Sequence, residues 1–164
     1  MGTDTTDWTD QGRETDWADQ GRIDFEVIGT SAYALNMESG SLIEEELTKS
    51  VIGAFFEVYN TLGFGFLEST YVKALELELP DRGHSVRRQV AVNVMYKGEY
   101  LTTQRLDMIV DDRLVLEVKS TYHLHPAAIR QLYNYLRATN LEVGLLLHFG
   151  PAPKFYRQIH RGRI

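Results

Sequence analysis

Hydrophobic positions in the first half of the chain recur with the period of a helix. From about residue 42 to residue 62, apolar residues return every three or four positions, which predicts an amphipathic helix. Ser41 followed by Glu44 matches a capping box, a pattern typical of a helix start. A second helix is predicted from about residue 68 to residue 79, because residues 80–83 (P-D-R-G) interrupt the pattern there.

After residue 85 the period changes to two, which is typical of strands. The remaining predicted elements are strands over 86–96, 100–110 and 114–120, a helix from Pro126 to about Thr139, and an apolar buried strand over 142–149. Residues 150–153 (G-P-A-P) end the last strand, and we interpret the basic residues that follow as a tail. The predicted order α-α-β-β-β-α-β indicates an α/β layered domain.

The first 36 residues contain a nine-residue near-repeat that holds both tryptophans, Trp8 and Trp17, in polar surroundings. Because this polar segment offers little apolar surface to bury, we predict a disordered tail over 1–36 and a globular domain over 37–164. A docking segment that uses the two tryptophans is the alternative.

Composition narrows the classes of function. The 164 residues suffice for one domain, and the absence of cysteine excludes disulfides, thiolate zinc sites and a cysteine nucleophile. Neither a secretory signal nor an apolar stretch of about 18 residues is visible, so we expect a cytoplasmic protein without a membrane partner. Residues 1–50 hold 12 acidic and 3 basic side chains, whereas residues 51–164 hold 11 and 14. The mildly basic globular part is compatible with a polyanionic ligand.

The hairpin around residues 111–113 carries the candidate chemistry. A three-residue loop gives two faces: one pairs Val110 with Leu114, Met108 with Leu116 and Leu106 with Val118, and the other pairs Ile109 with Val115, Asp107 with Glu117 and Arg105 with Lys119. A two-residue loop would mix apolar and charged side chains on both faces, so the hydrophobic pattern selects the first register.

That register places two carboxylates side by side with a lysine nearby. Because adjacent carboxylates repel one another, a hard divalent cation such as Mg²⁺ is a natural counter-charge, and the lysine could then position or help deprotonate an attacking water. The spacing alone leaves a second interpretation open. Asp107, Glu117, Arg105 and Lys119 would then form an ion-pair network on a wet sheet face.

Three ordered motifs resemble a known family. Asp107 followed by Glu117-Val118-Lys119 resembles the D…E-x-K signature of the PD-(D/E)XK nuclease superfamily, although Leu106 stands at the nominal proline. Residues 131–135 (Q-L-Y-N-Y) resemble the QxxxY element of exonucleases in that superfamily. Residues 65–71 (G-F-L-E-S-T-Y) match the motif of its GxxExxY protein family. The resemblance implies a restriction-endonuclease-like core with a central mixed sheet flanked by helices.

The resemblance also implies roles for individual residues. Glu68, Asp107 and Glu117 would hold Mg²⁺ or Mn²⁺, with the carbonyl of Val118 as a further ligand, while Lys119 would activate the attacking water. Gln131 would brace the site, and Tyr135 would face the same groove and contact nucleic acid there. We expect Tyr71 to be a core or supporting aromatic.

Basic residues near the C-terminus are further candidates. Lys154, Arg157 and Arg161 would contact nucleic-acid phosphates, although a solvated terminus would look the same. We interpret His123 and His125 as loop histidines near the phosphate path rather than as a zinc site. The expected function is a metal-dependent nuclease acting on DNA. The alternative is a catalytically silent nucleic-acid-binding or protein-interaction module on the same fold.

Overall fold

A computed structural model describes residues 43–161 and the backbone of the pair Glu26–Val27. Its elements are β1 (Glu26–Val27), α1 (Glu45–Leu62), α2 (Glu68–Asp81), β2 (Val86–Tyr96), β3 (Glu99–Val110), β4 (Leu114–Lys119), α3 (Ala127–Thr139), β5 (Val143–His148) and β6 (Lys154–Ile159). Three helices and one mixed sheet confirm the predicted α/β class. Within the described residues, no helix combines the length and apolarity that a membrane span needs.

The sheet has the strand order β1-β6-β5-β4-β3-β2. Only β4 and β5 run parallel among these strands, and α3 makes the crossover between them. Parallel strands end at the same edge of a sheet, so Lys119 at the end of β4 lies beside His148 at the end of β5. This edge is where the candidate site forms.

Two hydrophobic clusters cover the two faces of the sheet. The larger cluster joins α1 and α2 to one face, and the smaller joins α3 to the other. In β4, Leu116 belongs to the first cluster and its neighbour Val115 to the second, as strand alternation requires. Gly144 in β5 lets α3 approach closely, because a Cβ there would lie 2.7 Å from Leu132 Cδ1.

The register of the β3–β4 hairpin is confirmed for its first three pairs, from Val110–Leu114 to Met108–Leu116. The predicted pairing of Leu106 with Val118 on one face is wrong, because Leu106 packs in the α3 cluster and Val118 in the α1/α2 cluster. The cause is a face switch beyond Met108. The β2–β3 ladder steps over Gln89, whose φ is 47°, together with its opposite residue Asp107. Because of this switch, Asp107 is not paired in the ladder with β2 or in the ladder with β4.

The start of α1 also differs from the prediction. The helix begins at Glu45, and Glu44 has a left-handed φ of 54° with no side-chain cap. Glu44 instead forms an ion pair with Arg113 in the hairpin loop, at 3.0 Å. Ser41, the other half of the predicted capping box, lies outside the described residues.

The predicted basic tail after residue 153 is wrong for residues 154–159, because they form β6 against β5. Phe155 is buried in the α1/α2 cluster, which supplies the apolar contact that holds the strand. Two residues of the predicted N-terminal tail also form a strand, since Glu26 and Val27 pair with β6. The rest of that prediction falls on residues outside the described part.

Candidate active site

The loop between α1 and α2 sets the position of Glu68, the first residue of α2. Gly63 and Gly65 have φ angles of 71° and 118°, which favour glycine and let the chain turn sharply. The hydroxyl of Tyr71 donates to the Gly63 carbonyl at 2.6 Å and accepts from the Phe66 N–H at 3.2 Å. Tyr71 therefore ties the whole loop to α2.

Tyr71 itself is fully buried and stacks on Phe149, with ring centroids 4.1 Å apart. The expectation that Tyr71 is a core aromatic is confirmed. A second tie comes from the segment after β4, where the Ser120 hydroxyl donates to the Phe66 carbonyl at 2.6 Å. The Ser120 backbone N–H lies close enough to the carboxylate of Glu68 to lower its pKa, although burial outweighs this effect. These contacts fix Glu68 beside the end of β4.

Asp107 and Glu117 meet at the point where β3 and β4 diverge. Asp107 Oδ2 accepts a hydrogen bond from the Val118 N–H at 2.8 Å, where the predicted register would have made a direct ladder pair with Glu117. Glu117 is 2% exposed, and its Oε1 accepts from Lys119 Nζ at 2.6 Å. Its other oxygen, Oε2, is buried and has no hydrogen-bond partner within the described part of the chain.

Burial makes all three carboxylates costly to ionise, and repulsion from neighbouring carboxylates adds to this cost for Glu68 and Glu117. Burial raises the pKa of Glu68 and of Asp107 above their usual values. Burial, followed by repulsion from Asp107, raises the pKa of Glu117 to about 7. Burial alone would lower the pKa of Lys119, but the hydrogen bond with Glu117 and the nearby carboxylates raise it. One lysine thus faces three partly desolvated acids.

These residues fit a hard divalent cation. Between residues 43 and 161, no three Asp, Glu, His or Cys side chains are grouped so as to hold a metal ion as they stand. Lys119 Nζ and the Val118 N–H each donate to one carboxylate oxygen, the first to Glu117 Oε1 and the second to Asp107 Oδ2. The donor set nevertheless consists of hard oxygens, and the partnerless Oε2 of Glu117 is an acceptor that a cation would satisfy.

α3 contributes Gln131 from the other side. Gln131 Nε2 donates to the hydroxyl of Tyr135 at 2.6 Å, and that hydroxyl donates to the Arg105 carbonyl at 3.2 Å. Tyr135 is only 3% exposed, so the prediction that it contacts nucleic acid is wrong. The tyrosine holds Gln131 in place, one helical turn away, near the charges of Glu117 and Lys119.

A sequence model of the PD-(D/E)XK nuclease superfamily matches residues 45–161, from the start of α1 to the end of the described chain. The chain belongs to this superfamily. PD-(D/E)XK proteins are typically nucleases that use divalent metal ions, and the sheet and helices here are consistent with their restriction-endonuclease-like fold. The match covers the candidate residues from Glu68 to Gln131.

A solved structure, titled "Crystal structure of SSO0001", is similar to 73% of this PD-(D/E)XK chain, with a TM-score of 0.48 and 20% identity. The aligned region spans 60% of that protein's length. No curated protein matches the chain.

The three basic candidates near the C-terminus fall in different places. Lys154 is exposed and pairs with His148, so it lies at the site's edge of the sheet. Arg157 is buried at 5% exposure and donates to the Ile43 carbonyl, so its predicted phosphate contact is wrong. Arg161 follows β6 at the opposite edge, because Ile159 pairs with the first residue of β5. The structure does not bring Arg161 to the site.

Sequence reasoning missed His148. It is 4% exposed, and its Nε2 donates to the Thr121 carbonyl at 2.8 Å. The sequence does place a histidine at the end of the apolar run of β5. A polar residue there could have indicated a functional side chain, because a buried strand otherwise excludes polar side chains. Of the two predicted loop histidines, His125 accepts from the Ala127 N–H at the start of α3, and His123 lines a cavity beside the site.

Proposed function

We propose that this protein is a nuclease that hydrolyses phosphodiester bonds in DNA with Mg²⁺ or Mn²⁺ as its cofactor, and that it acts in the cytoplasm. The observation that carries the proposal is the convergence of Glu68, Asp107 and Glu117 with Lys119 at one end of β4. Membership of a superfamily whose members are typically nucleases supports it.

A cation held by Glu68, Asp107, Glu117 and the Val118 carbonyl would supply Lewis-acid activation of water and neutralise charge on the phosphate. The chain's own groups prepare the site for this. The pKa of Lys119 is raised, so its ammonium is charged. A charged lysine orients the attacking water and stabilises negative charge on the phosphate; it does not accept a proton.

Gln131 is the bracing residue of this proposal. Its amide nitrogen donates to the hydroxyl of Tyr135, which leaves the amide oxygen as an acceptor. Lys154 supplies a further cation for the phosphate backbone at the same sheet edge. The loop from Gly65 to Tyr71 supports placing the chain in the GxxExxY group, because its glycine and tyrosine together position the intervening Glu68.

A silent binding module is the second candidate. The close Lys119–Glu117 ion pair favours it, since it neutralises one carboxylate without a metal. Three desolvated acids against one lysine still leave net negative charge in a partly buried site, which is a poor surface for a polyanion without a cation.

A cleavage assay separates the two candidates. The full chain is incubated with single- and double-stranded DNA and RNA in Mg²⁺, in Mn²⁺ or in chelator. We expect DNA cleavage with either cation, none in chelator, and loss of cleavage in Glu117→Ala. Glu57→Ala, an exposed glutamate on α1, is the matched control and should cleave at the wild-type rate. Wild-type protein that binds DNA yet cuts none of the four substrates would support the silent module.

A further inference from the structure

A cavity of about 410 Å³ lies beside the candidate active site. Its lining includes Tyr122, His123, His148, Ala152, Lys154 and Tyr156. Leu124, another lining residue, packs with Tyr156 against the α3 cluster, so the cavity lies on the face of the sheet that α3 covers. Glu117 and Lys119 alternate with core residues Leu116 and Val118 of the opposite face, so they belong to this same face.

The cavity is one strand away from the catalytic lysine. Lys119 pairs with His148 across β4 and β5, and His148 pairs with Lys154 across β5 and β6. Neighbouring strands are about 4.8 Å apart, so this row spans about 10 Å. That is close enough for a single strand whose scissile phosphate lies at Lys119 to place a neighbouring nucleotide in the cavity.

The polar groups of the cavity fit a ligand that carries both a hydrogen-bond donor and a negatively charged group. The Nε2–H of His148 donates to the Thr121 carbonyl, which leaves Nδ1 as an acceptor. Nδ1 is buried and has no hydrogen-bond partner among residues 43–161. A ligand N–H or O–H would satisfy it. Lys154 supplies an exposed cation on the same wall, and the lining includes no acidic side chain.

Aromatic rings supply the remaining chemistry. Tyr122 is 67% exposed at the cavity, and its ring meets Phe64 edge-on at 6.2 Å. Phe64 belongs to the loop that positions Glu68, so an aromatic surface connects the cavity to the active site. Bases stack on such rings whatever their identity, because every base has a π-face.

We propose that this cavity binds one unpaired nucleotide of the strand being cut, with its base on Tyr122, its phosphate on Lys154 and a base or sugar donor on His148. The volume is in the range of small-ligand pockets and is far too small for a base-paired double helix. The inference rests on the proposed nuclease function and narrows it. The substrate is nucleic acid that is single-stranded next to the scissile phosphate.

Filling the cavity tests this on cleavage. Ala152→Trp places a large ring in the cavity from an exposed position, while Ala91→Trp adds the same ring at an exposed site on β2, four strands away from β6. We expect Ala152→Trp to lower kcat/KM on a single-stranded oligonucleotide at least fivefold through KM, the lower bound for loss of one stacked base. Ala91→Trp should match wild type. Equal kcat/KM for all three proteins overturns the inference and leaves the nuclease proposal standing.

A binding measurement in chelator tests the cavity without cleavage. Deoxyadenosine monophosphate, deoxyadenosine and deoxyribose 5-phosphate are each titrated into the full chain by NMR. Tyr122→Ala should weaken the two ligands that contain a base, and Lys154→Ala the two that contain phosphate, each at least fivefold. Lys73→Ala, an exposed lysine on α2, should change none of them. Wild-type binding of the monophosphate that neither cavity variant weakens overturns the inference, as does the absence of any binding. If the ligands bind as expected but the protein cleaves no nucleic acid, the proposed nucleotide site is supported and the proposed nuclease function is refuted.

Discussion

Glu117 and Lys119 lie two residues apart on β4, and they contribute charges of opposite sign to the candidate site. The glutamate is buried beside two other acids, and the lysine is the cation that offsets them. Removing Glu117 therefore makes the site less negative, whereas removing Lys119 makes it more negative. That opposition distinguishes a metal ligand from a catalytic cation, because a general structural defect would weaken both variants alike.

Glu117→Ala should weaken Mg²⁺ binding strongly, since it removes a ligand. Lys119→Ala should keep or raise Mg²⁺ affinity, because the ammonium now held 2.6 Å from Glu117 Oε1 is gone. Its turnover should fall about 10²-fold or more through lost positioning of water. Titration calorimetry with Mg²⁺ and single-turnover cleavage measure the two effects. A Lys119→Ala protein that cleaves DNA at the wild-type rate in saturating Mg²⁺ would refute the catalytic assignment.

The raised pKa of Glu117 predicts a pH-dependent stability in chelator. The folded protein keeps a proton on Glu117 up to about pH 7, whereas the unfolded chain releases it near 4.5. Folding is therefore favoured at low pH, and the free energy of unfolding should fall between pH 4.5 and 7 by about 3 kcal/mol. Glu117→Gln should flatten this part of the profile and raise the melting temperature at pH 7.5. Urea titrations at several pH values test this, with Glu57→Gln as the control; a wild-type slope in Glu117→Gln would contradict it.

At the scale of elements, one polar network adds to the hydrophobic clusters that seat the helices on the sheet. His84, between α2 and β2, bonds Asp111 through Nδ1 and Ser50 of α1 through Nε2, both at 2.7 Å. Asp111 also accepts from the Ser85 N–H at 2.8 Å. The network joins α1, the start of β2 and the tip of the β3–β4 hairpin. No hydrophobic pattern indicated it, because its hydrogen-bonded partners lie 26 to 34 residues apart in the sequence.

Asp111→Asn should lower the free energy of unfolding by about 1–2 kcal/mol at pH 7. Burial alone would raise the pKa of Asp111, but hydrogen bonds from His84 and Ser85 outweigh it and lower the pKa below 3.8. The stabilisation is thus present above pH 3.8 and is lost as the pH falls through the folded-state pKa. Asp112→Asn is the control. Asp112 is the next residue, its side chain is exposed, and its backbone has a positive φ similar to that of Asp111. Equal loss in the two variants would show that the network adds nothing.

The loop that carries Glu68 gives a second prediction at this scale. Tyr71→Phe keeps the ring that stacks on Phe149 and removes the hydroxyl that holds Gly63 and Phe66. We expect a folded protein with Mg²⁺ affinity reduced about tenfold, because Glu68 is no longer positioned before the cation arrives. Calorimetry measures the affinity. Tyr133→Phe on α3 is the control and should bind Mg²⁺ as wild type does; wild-type affinity in Tyr71→Phe would mean that the hydroxyl does not position the loop.

For the whole molecule, periodicity predicted the elements because the core imposes it. The runs that became α2, α3 and β5 were apparent from sequence since each has a long apolar face. β6 was missed because Arg157 and Gln158 are buried polar residues in a strand only six residues long. The face switch at Gln89 and Asp107 was missed because it breaks the alternation used to predict it. It also accounts for why Asp107 meets the Val118 N–H instead of pairing with Glu117.

The extent of the folded unit gives the last prediction. Deleting residues 1–36 removes the two-residue pairing of Glu26–Val27 with β6, whose other edge is already held by β5 along its whole length. Two residues supply little buried area, so the melting temperature should fall by no more than about 2 °C, less than the effect of ~1 kcal/mol in a domain of this size. Deleting residues 1–25 keeps β1 and is the matched control. A large fall in the longer deletion alone would show that β1 stabilises the exposed edge of β6, and a large fall in both would assign stability to the segment before it.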